Sequence, residues 1–533
     1  MRYPSARQQV DSKLAWAALA SVKLNQPQWK APLAAASGLL LVLTFPKFHL
    51  FPLSVFALIP LILAVAQEPR PARRFLWGSV AGFLFFAGTC YWVFTVMHQY
   101  GGLGIVAAAG VFVLFSLILA LYWGLFSWLA GYLWAAPWGP LAVPFLWVSI
   151  ELARAHLFSG FPWLLLGYAL TDYPSLARLA QWTGVYGLSG LLVSWNVAWV
   201  WLYTRRSKAA LGFTTALLAG TLLLVLAAPS ETYPEDHKAF LVQTSIPQEV
   251  AWEQWDLATQ RPLLDRLEAL TTQAVGRQDP PALVIWPEMP ASFYFHDDSF
   301  TRLYAEGIAR RTNSYFLMGI VAFVPGSERT QPLNSEVLLD PTGRLVSQYD
   351  KIHLVPFGEY VPLKRFLWFA EKLTAEAGDF VSGNRLVVSE LAGGRMSGLI
   401  CYEAIFPELV RRFVEQGAEV LVNISNDGWY GSSAARYQHL LMARMRAIEN
   451  ARYLLRATNT GITVVVRPDG RIAAEIPPDR PGVLEARWGF QSRRTFYSRH
   501  GDWFAYAACL LTVVALIAAR RGKQYRKGKG KQI

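Results

Sequence analysis

Cysteine is scarce: 533 residues carry three. Two of them, Cys90 and Cys509, lie inside long apolar runs, so Cys401 stands alone in the polar part of the chain. That excludes a disulfide framework and leaves Cys401 as either a small buried hydrophobe or a nucleophile. Charge is thin as well, at 16% of residues, against about 25% in ordinary soluble domains. Only eight histidines are present, with no His/Cys or His/Glu pair at metal-ligand spacing. No metal and no other cofactor is therefore expected, and His353 and His439 are read as structural. The first residues lack a short apolar run with a small-residue cleavage site, so no removable leader is expected. Internal repeats are absent, and low complexity is confined to the Lys/Gly-rich tail.

Apolar residues are abundant, at 53%, but unevenly spread. The composition divides the chain into a basic segment 1–30, an apolar domain 31–230, a globular domain 236–494, an apolar helix 501–520 and a basic tail 521–533. A membrane-spanning helix needs roughly 20 apolar residues. Candidate spans fall near 32–47, 50–66, 76–97, 103–124, 139–157, 185–203, 209–228 and 503–519, seven in the first domain and one closing the chain.

The formal charge of +13 would suit nucleic acid, but its placement does not. Arg2, Arg7, Lys13, Lys23 and Lys30 precede the first span, and Arg520, Arg521, Lys523 and Arg526 follow the last. Arg70, Arg73 and Arg74 follow the second span, and Arg205, Arg206 and Lys208 follow the sixth. Such clusters mark cytoplasmic flanks beside anionic lipid. Eight spans then put both termini in the cytoplasm and the globular domain on the opposite face, the periplasm of a Gram-negative cell.

The globular segment alternates strand and helix patterns, an α/β layered arrangement. Strands are predicted at 238–245, 282–286, 315–323, 334–339, 344–349, 395–400, 419–424, 456–459, 462–466 and 471–476. Helices are predicted near 257–276, 298–311, 405–416 and 434–453. Asp340-Pro341-Thr342-Gly343 and Pro468-Asp469-Gly470 read as hairpin turns.

Three polar residues each follow a strand-like run: Glu288 in Val284-Ile285-Trp286-Pro287-Glu288, Lys351 in Tyr349-Asp350-Lys351-Ile352-His353, and Cys401 in Leu399-Ile400-Cys401-Tyr402-Glu403. An acid, a lysine and a cysteine in one domain point to acyl transfer through a thioester. Around them other readings stay open. Glu359 either caps a loop or orients Lys351. Tyr402 and Glu403 shape the pocket, or Glu403 makes a surface salt bridge. Arg154, with Phe161-Pro162-Trp163, is either a snorkelling arginine beside an aromatic belt or a lipid-phosphate site. The apolar run Val361-Pro362-Leu363 to Phe366-Leu367-Trp368-Phe369 is either a buried helix or an arm over an acyl chain, with Trp252 at the same entrance.

These motifs resemble the nitrilase superfamily, whose Glu-Lys-Cys triad sits on an αββα sandwich. More narrowly, nearly the whole chain resembles the bacterial apolipoprotein N-acyltransferase family. The matching stretches are Trp286-Pro287-Glu288, Lys351 to Pro362, Cys401-Tyr402-Glu403, Asn423 to Trp429 and Phe161-Pro162-Trp163. The charged N-terminal segment and basic tail are less typical of that family.

The resemblance implies Glu288 as general base, Cys401 as nucleophile and Lys351 as the cation that stabilises thiolate and oxyanion. It implies a phospholipid acyl donor, such as the sn-1 ester of phosphatidylethanolamine. The acceptor would be the α-amino group of a diacylglyceryl-cysteine on an apolipoprotein. A monomer embedded in the membrane is expected. Two rivals remain: a membrane-tethered amidase or nitrilase, and a receptor whose globular domain merely binds ligand. Few charges in the spans, chiefly Glu151 and Arg154, weigh against transport.

Overall fold

The computed structural model describes residues 27–227, 231–246, 257–289, 293–296, 298–327, 331–360 and 379–529. Its first part is a bundle of apolar helices: Pro27–Thr44, Ile59–Ala66, Pro71–Thr89, Trp92–Thr95, Ile105–Trp134, Val143–His156, Ala180–Arg205 and Lys208–Leu226. Trp503–Lys529 returns to it at the end of the described chain.

Among the described residues four helices are long and apolar enough to cross a bilayer: Ile105–Trp134, Ala180–Arg205, Lys208–Leu226 and Trp503–Gly522. Pro71–Thr89 and Trp92–Tyr100 form a fifth if taken together, bent by 54° at Cys90 and Tyr91. The expected spans at 50–66 and 139–157 differ most from this. Each is a short 3₁₀ turn followed by a helix of 8 and 14 residues. Pro52, Pro60, Pro140 and Pro144 each stand at N1 or N2 of these short elements, where proline starts a helix but cannot continue one. Helix contact in the bundle depends on small residues. A Cβ added at Gly78 would lie 2.2 Å from the Trp123 carbonyl oxygen, and one at Gly82 2.8 Å from the Trp123 Cβ. The Gly-x-x-x-Gly spacing is what lets these two backbones approach.

The globular part holds two six-stranded mixed sheets. The first sheet contains β1 (His237–Gln243), β2 (Leu283–Ile285), β3 (Tyr315–Phe323), β4 (Pro332–Leu339), β5 (Leu345–Asp350) and β12 (Gly482–Trp488), in the order β12-β1-β2-β3-β4-β5. The second contains β6 (Ser389–Leu391), β7 (Gly394–Ile400), β8 (Val420–Ser425), β9 (Leu454–Thr458), β10 (Thr463–Val466) and β11 (Ile472–Ile476), in the order β11-β10-β9-β8-β7-β6. In each sheet three central strands run parallel: β1, β2 and β3, and β7, β8 and β9.

Side-chain alternation makes the layers. Leu241, Ile285, Leu317 and Leu338 share a core with Met396, Leu399 and Val420 of the other sheet. Phe240, Val284, Phe316 and Val337 point the other way, onto Leu264 and Leu267 of the Leu257–Val275 helix and Ile308 of the Ser299–Thr312 helix. Pro407–Glu415 and Ala435–Asn450 serve the second sheet. The result is the expected helix–sheet–sheet–helix sandwich. Two strands were not expected, β6 and β12. Strand β12 pairs antiparallel with β1 along seven residues, from His237↔Trp488 to Gln243↔Gly482.

Candidate active site

Strands β2 and β5 of one sheet and β7 of the other end at the same cleft. Glu288 lies three residues beyond β2, and Lys351 and Cys401 directly follow β5 and β7. All three are nearly sealed from solvent, at 4%, 1% and 6% exposure.

Both oxygens of Glu288 are held. Oε1 accepts from Lys351 Nζ at 3.3 Å and Asn334 Nδ2 at 2.9 Å, and Oε2 accepts from the Asn426 backbone N–H at 2.8 Å. Glu359 does both things left open for it. Its Oε1 accepts from Lys351 Nζ at 2.8 Å and Asn334 Nδ2 at 2.7 Å, while Oε2 caps the loop at the Val355 N–H, 2.8 Å away. Burial alone would pull the Lys351 pKa down, but the Glu359 and Glu288 carboxylates outweigh it and raise it, so the ammonium is retained.

Cys401 has φ +51° and opens a buried 3₁₀ turn, Cys401–Ile405. A non-glycine residue in the left-handed region is strained and needs its surroundings to hold it. The holding groups converge on its carbonyl oxygen, 3.1 Å from His439 Nε2, with Asn423 Nδ2 at 3.5 Å. Burial and then the Arg456 cation push the His439 pKa down, so the ring is neutral with one N–H. Its Nε2 faces the Cys401 carbonyl, and its Nδ1 lies 3.0 Å from Asp427 Oδ1 and 3.1 Å from Arg456 Nη2. Arg456 also pairs with Asp427 at 2.8 Å. Burial, then the Glu288 charge, push the Cys401 thiol pKa up against the pull of Lys351. The resting thiol is thus protonated and requires a base to become a nucleophile.

Glu403 is not a surface ion-pair partner. It is fully buried, and Oε1 accepts from Tyr349 Oη at 2.7 Å, Ile352 N–H at 2.8 Å and His353 N–H at 3.1 Å. Its Oε2 accepts from Ile400 N–H at 2.8 Å. One carboxylate therefore ties the loop after Lys351 to the strand end before Cys401. The Tyr402 ring packs 5.2 Å from Phe406 and 6.1 Å from His353.

Arg154 ties down its own loop. It is 4% exposed, and Nη1 donates to the carbonyls of Phe161 and Trp163 at 2.9 and 2.8 Å. It folds the loop after the Val143–His156 helix and lines a small cavity together with Glu151 and Tyr122. Trp163 is also fully buried, 4.9 Å from Trp92 and 5.9 Å from Tyr430 between ring centroids. Trp252 and the run from Val361 to Phe369 lie outside the described residues.

Asn334 and Gln438 were not singled out from the sequence. Asn334 sits on β4 and bridges Glu288 to Glu359, yet nothing in Pro332-Leu333-Asn334-Ser335 sets it apart. The Asn423 to Trp429 stretch did stand out as a motif, without roles for Asn423 or Asn426.

A buried acid and lysine and a cysteine on a strained strand-end turn lie at one cleft between two sheets flanked by helices, the layers of a nitrilase-like fold. Residues 241–495 match the carbon-nitrogen hydrolase family, and residues 37–198 match the apolipoprotein N-acyltransferase N-terminal domain. An apolipoprotein N-acyltransferase of Geobacter metallireducens is 38% identical over 502 residues, 92% of this chain and 95% of that protein. One of Methylococcus capsulatus is 34% identical over 527 residues, 94% and 98% of the two chains. The chain belongs to the apolipoprotein N-acyltransferase family.

Proposed function

We propose that this chain moves an acyl group from a membrane phospholipid to the α-amino group of the N-terminal diacylglyceryl-cysteine of apolipoproteins, in two half-reactions through Cys401. The observation that carries the reading is the Glu288–Lys351 pair, 3.3 Å apart and buried in the cleft that the Cys401 turn enters.

In the first half-reaction Glu288 takes the thiol proton as Cys401 Sγ bonds to the ester carbonyl carbon, such as the sn-1 ester of phosphatidylethanolamine. Lys351 stabilises the oxyanion without giving up its proton. The C–O bond then breaks, and the proton on Glu288 passes to the leaving alkoxide, releasing lysophospholipid. In the second half-reaction the acceptor amine bonds to the thioester carbon, Glu288 takes the amine proton, and the C–S bond breaks as that proton passes to Sγ, returning the Cys401 thiol and the Glu288 carboxylate. Glu359 and Asn334 keep Lys351 and Glu288 in register, and Tyr402 and Glu403 hold the turn.

The bundle gives this chemistry its place. Withdrawing an acyl chain into water costs about 0.8 kcal/mol per CH₂, so a site held at the bilayer avoids that cost for both substrates. The basic clusters orient the chain in the bacterial inner membrane, with the sandwich on the periplasmic face and both termini cytoplasmic.

Intact-protein mass spectrometry after incubation with phosphatidylethanolamine tests the reading. A hydroxylamine-sensitive acyl adduct is expected on the wild type and absent from Cys401→Ala. No adduct on the wild type, with ammonia released from a small amide, would replace acyl transfer by amide hydrolysis.

A further inference from the structure

A crevice of about 650 Å³ lies where the bundle meets the sandwich, within the roughly 300–1,000 Å³ of small-molecule sites. One wall is the end of the Val143–His156 helix and the loop through Phe158 and Ser159. The other wall is built from direct chain continuations of the active site. Ile352 and His353 follow Lys351, Tyr360 follows Glu359, and Phe406 ends the turn that Cys401 begins. Phe380, also in the wall, donates its backbone N–H to the Glu359 carbonyl at 2.9 Å.

Exposed aromatic side chains stand at this end of the bundle. Phe158 is 97% exposed, and Trp182 and Trp503 are exposed around the same end of the bundle. Trp503 Nε1 donates to the Trp182 carbonyl at 2.8 Å. Exposed aromatic side chains at helix ends are the mark of the interfacial belt.

Charge is asymmetric in the lining. Arg411 grips Glu408 through two bonds of 2.9 and 2.7 Å and reaches Glu415 at 3.1 Å, so the Glu408 charge is matched. Arg412 beside it lines the crevice, is exposed, and makes no ion pair among the described residues. Among the described residues it is the one Lys or Arg in that lining. The His353 imidazole opposite stays neutral near pH 7, its pKa lowered to about 4 by burial and then by Lys351.

We propose that this crevice holds the phosphate-bearing head of the acyl-donor lipid, with Arg412 on the phosphate and Phe158, Tyr360 and Phe406 against the glycerol and first methylenes. The assignment rests on the acyl-transfer reading above. An arginine fork matches the geometry of a phosphodiester. A diacylglyceryl-cysteine acceptor carries no phosphate, so Arg412 serves the donor half-reaction.

The test measures equilibrium binding of dihexanoyl-phosphatidylethanolamine and of dihexanoylglycerol to the full-length Cys401→Ala protein in detergent. Adding Arg412→Ala should lower the ratio of the two affinities about tenfold, as losing a charge-assisted contact does. Arg412→Lys should restore part of it, a point charge replacing a fork. An unchanged ratio overturns the proposal. So does an equal loss for both ligands, which would report apolar fit alone, and so does displacement by inorganic phosphate at the lipid's own concentration. Acylation of wild-type Cys401 is read separately by mass spectrometry. Its absence with the binding ratio intact would sink acyl transfer and leave the lipid-head site standing.

Discussion

Trp163 of the membrane bundle donates its indole N–H to Gln438 Oε1 of the sandwich at 2.8 Å, across 275 residues of sequence. The Gln438 amide nitrogen donates in turn to the Pro46 and Thr89 carbonyls at 2.9 and 3.1 Å. Thr89 ends the helix before the bend at Cys90. The next residue on the same helix, His439, holds the Cys401 carbonyl. Adjacent side chains thus grip the broken membrane helices and the nucleophile's turn.

Gln438→Ala should therefore loosen both parts at once. Three buried partners lose their bond, and each unsatisfied group costs about 1–3 kcal/mol. We expect a lower Tm in detergent, read by intrinsic tryptophan fluorescence, together with slower Cys401 acylation. An unchanged Tm would show that the seam does not depend on this amide.

Glu288→Gln should separate chemistry from folding. The amide keeps the shape, but its one oxygen can accept from Lys351 or from the Asn426 N–H and not from both, and it cannot take the thiol proton from a cysteine whose pKa is raised by burial. Acylation of Cys401 should slow by about 10²–10⁴-fold, the usual value of general-base catalysis, with the Tm lowered only by the loss of the one buried bond the amide cannot accept, about 1–3 kcal/mol. Rapid-quench mass spectrometry reads the rate. Retention of wild-type acylation would transfer the base role elsewhere.

Glu403→Ala should be worse for stability than for any single bond. Four donors lose their acceptor in a fully buried place, and the expected loss exceeds about 3 kcal/mol. Hydrogen exchange at Ile352, His353 and Ile400 should speed up selectively. Protection equal to wild type at these three amides would contradict the tie between the two loops.

His353 makes acid sensitivity directional. Its pKa in the folded protein is lowered to about 4 by burial and then by Lys351. Between the ordinary histidine value near 6.5 and that lowered value, the unfolded chain takes up a proton that the folded chain refuses. Stability accordingly falls as pH drops through this window. His353→Gln should flatten that limb, measured as denaturant midpoints at pH 7 and pH 4.5. Equal midpoint shifts in both proteins would assign the limb to other groups.

Much of the site could be read locally. Glu288, Lys351 and Cys401 were legible because each follows a strand-like run, and strand ends are where a sandwich opens to its cleft. The strands themselves were legible from runs such as Val420-Leu421-Val422. Strand β12 was not, because Glu485, Ala486, Arg487 and Trp488 alternate exposed and buried against a single partner. Only the pairing with β1 makes it a strand.

The residues alone determined the two-part plan, apolar bundle and α/β sandwich, since apolar content and strand-ending motifs are properties of neighbouring residues. Tertiary structure decided what each polar group does. Arg154 reaches the Phe161 and Trp163 carbonyls, Glu403 goes inward, and Asn334 joins Glu288 to Glu359. A buried polar group must find a partner once water is excluded. Here those partners lie on segments that only folding brings together.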